Sequence, residues 1–487
     1  RDLRRLIAPP PSLMRIVLAA FGSRGDTQPH IAFAVELVRA GHEVRLYIPP
    51  EYLSLVPTVA GLSIIGAQQT IAGGMEKLAP HLATGNAAAM MQAVFEITTE
   101  FFAREADALT AVCAGWAEIV IFNGVWFHLG LAVTEALHIK ALATNVQPGL
   151  PTREFFPFKS GLPKFMHMFC WWILFKVVEP ANLKRETSKW KAANGCKLKF
   201  NGARDTLYRL NTPQILGFSP TSFAPPADWD SQGFDYSITG DWVLSADDLP
   251  EKPDAALVQF IGAGEEPPFY IGWGSMAHES GQYMTELAVR ALHAIGKRGI
   301  VFEGSSGSEL FRLSLDKLDP SKPDAAEVAA WAAENVLVTG GVSHEWLFPK
   351  VAAVVHHGGA GTSAASFRSG VPSLVTPFGF DQFEYAQLSV KQGLGPGPLP
   401  EFKSISPKQL GAALVAAVNE PRFKAAAAAL RDQMHRERGT KLAVEAFEKM
   451  SHRHIWEEDA ERQKRGVTRA LTPPSIVNLD LVLICGV

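Results

Sequence analysis

The chain has 487 residues, which at about 150 residues per domain means two to three domains. Hydrophobic residues make up 47% and charged residues 20%, a balance that excludes wholesale disorder. Forty-six Lys and Arg against 49 Asp and Glu leave a formal charge of −3, which argues against nucleic-acid binding, since that needs a basic face.

The cysteines Cys113, Cys170, Cys196 and Cys485 lie far apart. A zinc cluster or disulfide scaffold is therefore not expected, and a reducing, cytoplasmic setting fits. The 11 Trp and 29 Phe point to large apolar surfaces, including a lipophilic pocket.

Residues 1–13 read as a basic, proline-rich tail. The apolar run from Ile16 to Phe21 leads into a glycine turn rather than a cleavage site, so 14–21 is a predicted strand and not a signal core. A helix is predicted from Pro29 to Ala40, with Ile31, Val35, Leu37 and Val38 as its apolar positions and Gly41 closing it. HEVRLYIP is the next strand, which makes a β-α-β unit and a parallel sheet. The pattern returns in EIVIFNG, a helix to Leu137, and KALATNV.

Phe165 to Phe175 is the most apolar stretch, but its 11 residues fall short of the roughly 20 that span a bilayer. It reads as a buried helix. The alternative is an interfacial helix that touches membrane or lines an acceptor site.

From Asn211 to Pro268 the chain is rich in Pro, Gly and Asp, a composition that marks a linker. A second alternating region follows: PFYIGWGSM, a helix near Gln282 to Ile295, GIVFEG, NVLVTG, AAVVHHGG, a helix after Gly361, and PSLVTPF. The predicted class is α/β, with two Rossmann-like parallel-sheet domains facing a cleft. They span 14–218 and 269–435, joined by 219–268. A helix at 436–456 follows, and 457–487 has no assignment.

Four segments that follow strands carry chemistry. His356-His357-Gly358-Gly359-Ala360-Gly361-Thr362 joins a strand to a helix. Its glycines let the backbone approach an anion, and the first helical amides and the helix dipole favour negative charge. Gly272-Trp273-Gly274-Ser275 is a matching turn. Together they point to diphosphate binding. Asp381-Gln382 follows PSLVTPF and could bind sugar hydroxyls, while Asp381 could equally cap the next helix. The first turn, Gly22 to His30, holds Asp26. It could cap the first helix, as could Thr27, or face the cleft as a base. The turn lacks G-x-G-x-x-G, which counts against a dinucleotide cofactor.

These residues resemble the family 1 glycosyltransferases of GT-B fold, particularly the sterol-glucosyltransferase branch. VSHEWLF, HHGGAGT, the DQF loop, GSRGD with QPHIAFAVELVRAGHEV, and PQILGFSPTSFAPPADWDSQGFDYSITGDWVL carry the resemblance. The first-turn pieces are shared with bacterial antibiotic glycosyltransferases. The resemblance implies inverting transfer of a sugar, glucose first, from a UDP-sugar to a hydroxyl of a lipophilic acceptor such as a sterol, terpenoid or polyketide.

By match of motif, Asp26 would be the base. His356, Gly359, Ala360, Gly361, Thr362 and Ser275 would hold the phosphates, Val342 the uracil, and Asp381 with Gln382 the sugar. No cofactor or metal is implied for this chemistry. Asn123 stands where plant members carry a supporting Asp, which leaves His30 and His128 as lesser base candidates. Phe155, Phe156, Phe169 and Trp172 are the candidate acceptor wall. A UDP-sugar epimerase and a non-catalytic lipid- or membrane-binding protein are the rival readings, and peripheral membrane contact is a possible partner interaction.

Overall fold

The computed structural model describes residues 13–84, 87–155, 163–173, 181–197, 202–249, 253–275, 280–304, 312–379 and 381–465. Seven strands form the first sheet: β1 (Arg15–Ala19), β2 (Glu43–Ile48), β3 (Leu62–Gly66), β4 (Ile119–Asn123), β5 (Lys140–Asn145), β6 (Gln214–Leu216) and β7 (Tyr236–Ile238). Their order is β3-β2-β1-β4-β5-β6-β7, and every pair is parallel. The second sheet holds β8 (Phe269–Gly272), β9 (Gly299–Phe302), β10 (Val336–Thr339), β11 (Val354–His356) and β12 (Ser373–Val375). Its order is β10-β9-β8-β11-β12, again all parallel.

The strands read as unbroken apolar runs because helices cover both faces of each sheet. All of β4 is buried, and so is all of β8. One side of the first sheet packs Val17, Val120 and Phe122 against Leu131 and Leu183. The other side packs Ile16, Leu18 and Leu142 against Phe33 and Val35 of the first helix. Each sheet reverses its strand order once, between β1 and β4 and between β8 and β11. Such reversals open a crevice at the carboxyl ends of the strands. All four segments singled out in the sequence follow strands, and three of them sit at these reversals.

The structure departs from the sequence reading in three places. The first helix spans Arg24–Arg39 and starts before Pro29. Ser23 is its N-cap, so neither Asp26 nor Thr27 takes that position; Asp26 is the third helical residue and completes a capping box. Second, the stretch read as linker supplies β7 and the Ala255–Gly262 helix. A three-residue strand among turn formers leaves no period to read. Third, a helix at Ile455–Lys464 follows the Gly439–Met450 helix, beyond the expected end near His454.

These last two helices lie on the first domain. Ala443, Val444 and Phe447 share a core with Ile16, Leu18 and Val44, while Ile455 and Trp456 join the core on the opposite face. Among the described residues, no helix is long and apolar enough to cross a membrane. The Lys164–Ile173 helix buries Trp171 and leaves Phe165 exposed.

The chain's return to its first domain can be tested at Phe447, which is fully buried and meets His42 edge-on at 5.2 Å. Phe447→Ala is expected to destabilise the first domain by about 3–5 kcal/mol, read as an earlier transition in equilibrium urea unfolding.

Candidate functional site

The second domain builds an anion cradle. His356 ends β11 and lies in register with Gly272 at the end of β8, so the two glycine turns leave the sheet side by side. The Ala360–Ser369 helix then starts from Gly359 with no side-chain cap. Its first amides thus have no side-chain cap and stand at the positive end of the helix dipole. Gly359, Ala360, Gly361, Thr362 and Ser275 are all partly exposed. Gly358 has φ +93°, and a β-carbon there would stand 2.7 Å from Val375 and 2.9 Å from the Gln382 carbonyl. Only glycine turns the chain at this point.

The two histidines divide their tasks, and not as the motif suggested. His356 is fully buried. Its Nδ1 accepts from the Gly358 amide at 3.1 Å and its Nε2 meets the Ser373 hydroxyl at 2.9 Å. Both ring nitrogens are thus spent on holding the turn, and burial keeps the ring neutral. His357 lies between the two turns: a β-carbon at Gly274 would stand 2.9 Å from its ring and one at Gly359 2.4 Å from its Nε2. Its Nδ1 is buried without a hydrogen-bond partner among the described residues, and burial lowers its pKa to about 4.

The remaining predicted donor residues also have definite places. Val342 packs its side chain into the core with Tyr270, Phe302 and Phe348, so only its backbone can meet a base. Next to it, Ser343 carries a buried hydroxyl with no hydrogen-bond partner among the described residues. The Gln382 Oε1 accepts from the Phe378 amide at 2.8 Å and the Gly379 amide at 3.1 Å, which stiffens the loop. Asp381 stands at the N-cap of the Gln382–Lys391 helix but makes no capping bond. Its carboxyl is left for the cleft.

The first domain contributes the opposite wall. Ser23 donates to Asp26 Oδ2 from its amide at 2.7 Å and its hydroxyl at 2.8 Å. The other carboxylate oxygen is outside this cap. Burial raises the Asp26 pKa, against the lowering by Ser23. His30 is no base: its Nδ1 meets the Asp26 carbonyl at 2.6 Å, its Nε2 meets Thr144 at 2.8 Å, and burial lowers its pKa to about 4. Asn123 exchanges hydrogen bonds with the Phe21 backbone and so fixes the start of the turn. His128 lines a separate pocket with Phe101, Phe102, Glu105 and Trp126.

The two walls meet. A β-carbon on Gly361 would stand 2.9 Å from the Gly25 Cα, so two helix N-termini touch through glycine backbone. Asp381 has a pKa raised to about 7, first by burial and then by the charge of Asp26 across the cleft. Arg24 reaches the same way: its charge helps push His344 down to about 3, after burial, and partly offsets the burial that raises Tyr270. Sequence reasoning missed Arg24 and His344, because only the closed arrangement of the domains brings them together.

On the acceptor side, Phe155 is buried and meets Phe223 edge-on at 5.5 Å, and Phe223 lies 6.3 Å from Tyr385 of the second domain. Phe169 is half-buried on the Lys164–Ile173 helix. Phe156 and the side chain of Trp172 lie outside the described residues.

Residues 16–156 match the glycosyltransferase family 28 N-terminal domain, and residues 321–449 match the C-terminal domain typified by erythromycin biosynthesis protein CIII. The chain is 27% identical over 454 residues to a sterol 3-beta-glucosyltransferase of Debaryomyces hansenii, covering 90% of this chain and 27% of that protein. It is 29% identical over 449 residues to one of Arabidopsis thaliana, covering 89% of this chain and 65% of the relative. The first three curated relatives are much longer, and the chain spans 27%, 28% and 34% of them.

Among solved structures, the glycosyltransferase of kitacinnamycin superposes with a TM-score of 0.62 at 17% identity, over 90% of this chain and all of that one. Os79 of O. sativa, in complex with UDP, gives 0.62 at 13% identity over the same shares. The chain has the GT-B fold of two parallel-sheet domains, its first part matches a glycosyltransferase domain, and over most of its length it is similar to sterol 3-beta-glucosyltransferases.

Proposed function

We propose that the protein transfers a sugar, glucose first, from a UDP-sugar to the hydroxyl of a lipophilic acceptor, with a sterol as the leading candidate. The carrying observation is the approach of the Asp26 turn to the uncapped Ala360 helix, marked by the Gly25–Gly361 contact. The relatives' names support the acceptor class and the sugar, and the UDP bound to a fold neighbour supports the donor. The likeness to named transferases favours transfer over epimerisation or a binding role.

In this reading the diphosphate rests on the amides of Gly359 to Thr362, with Ser275 and His357 beside it. His356 acts by holding the turn. The uracil lies against the backbone at Val342 and Ser343. Asp381 and Gln382 face the sugar: a carboxyl near half-protonation at neutral pH both donates to and accepts from hydroxyls. Asp26 takes the proton from the acceptor hydroxyl, and its raised pKa makes it a stronger base than an exposed aspartate. The base and the leaving diphosphate are held by opposite walls. The acceptor oxygen therefore attacks the anomeric carbon from the face away from the departing UDP, which inverts the centre. Amides and a helix dipole stabilise the charge that develops on the diphosphate.

Asp26→Asn retains the shape of the cap but cannot take a proton. Its kcat is expected to fall by roughly 10²–10⁴-fold in a UDP-release assay with UDP-glucose and a sterol, with the KM for UDP-glucose little changed. Full activity in this variant would remove Asp26 as the base.

The acid limb of kcat/KM is expected above the usual aspartate range, because Asp26 must be ionised and burial raises its pKa. The charge of Asp26 raises Asp381, so Asp381 is still protonated while Asp26 ionises. Asp381→Asn leaves a neutral group in its place and is expected to keep the acid limb where it is, whatever the loss in rate. A limb that moves to lower pH would mean that Asp381, not Asp26, ionises first in the cleft.

Gly361→Val puts a branched side chain against Gly25. Tighter packing than the cleft allows is expected to raise the KM for UDP-glucose at least tenfold while the unfolding midpoint stays near that of the parent protein.

A further inference from the structure

We propose that His138, His454 and Glu457 form a divalent-cation site, suited to Zn²⁺, that fastens the last helix to the first domain. The three residues come from two parts of the chain far apart in sequence. His138 caps the C-terminus of the Phe127–Leu137 helix in the left-handed conformation, φ +52°, just before β5. His454 is the N-cap of the Ile455–Lys464 helix, and Glu457 stands in that helix's first turn. One ligand atom from each of the three lies within 4.8 Å of the others.

The present partners of these side chains are poor. The His454 Nε2 is 3.3 Å from the His138 carbonyl and 3.9 Å from Glu457 Oε1, the latter beyond hydrogen-bond reach. The His454 Nδ1 is buried with no hydrogen-bond partner among the described residues. The two imidazoles lie 4.9 Å apart, tilted by 41°, so two polar rings face each other with little to join them. A cation would supply what is missing.

Two imidazoles and one carboxylate are a common ligand set for zinc, with bonds of about 2.0–2.2 Å and a fourth position for water. Side-chain rotation at the exposed His138 and Glu457 would draw the ligands in. The site lies on the first domain, away from the cleft, so the ion would be structural. It would act with Arg453, which already ties this segment to the Asn211 carbonyl at 2.9 Å and to the Asp235 carboxylate. Binding that is selective for the folded chain stabilises it.

The test uses the full chain without a histidine tag, stripped with EDTA and dialysed. Calorimetric titration with Zn²⁺ is expected to show one equivalent bound and a rise in the melting temperature. Co²⁺ in its place should give the visible absorption of a low-coordinate nitrogen–oxygen site. His138→Ala and Glu457→Gln, both at exposed positions, should melt near the parent protein in EDTA but bind Zn²⁺ at least tenfold more weakly. His454→Ala should abolish the melting shift. No saturable binding to the parent chain, or equal affinity in His138→Ala and Glu457→Gln, would overturn the proposal.

Discussion

The contact between Gly25 and Gly361 is the constraint on which the rest of the site depends. Each residue lies in the first turn of a helix that follows a sheet reversal, one in each domain. Without β-carbons the two backbones come close together at the starts of two helices. The uncapped amides lie on one side. Asp26, fixed by Ser23, lies on the other. Asp381 feels the charge of Asp26, and His344 that of Arg24, from across it.

The same contact accounts for the electrostatics. Two carboxyls brought into a desolvated cleft cannot both ionise at their usual pKa. The charge of Asp26 adds to burial in raising Asp381 to about 7. The near-zero net charge of the chain fits this picture, since local amides, a neutral histidine and a helix dipole can hold a diphosphate without a basic surface.

The architecture was readable because buried parallel strands leave an unmistakable trace: RIVLA, IVIFN and FYIG are apolar runs followed by glycine turns. The turns themselves were legible from their residue types. Which atom does what was not. HHGGAGT presents two histidines, and only the register of β11 beside β12 shows that His356 turns inward to Ser373. Asp26 and Thr27 could each cap the first helix; the folded turn instead starts the helix at Arg24, with Ser23 as its cap. β7 was hidden because three residues between glycines and aspartates carry no period. Arg24, His344 and the trio His138, His454 and Glu457 join residues distant in sequence, so no local pattern could have announced them.

The most direct measurement is the configuration of the product. Incubation with UDP-glucose, whose sugar is α-linked, and a 3-hydroxysterol, followed by NMR of the anomeric proton, should give a β-glucoside. An α-glucoside would contradict attack from the Asp26 wall opposite the diphosphate, and glucose epimerised without any acceptor would contradict transfer itself.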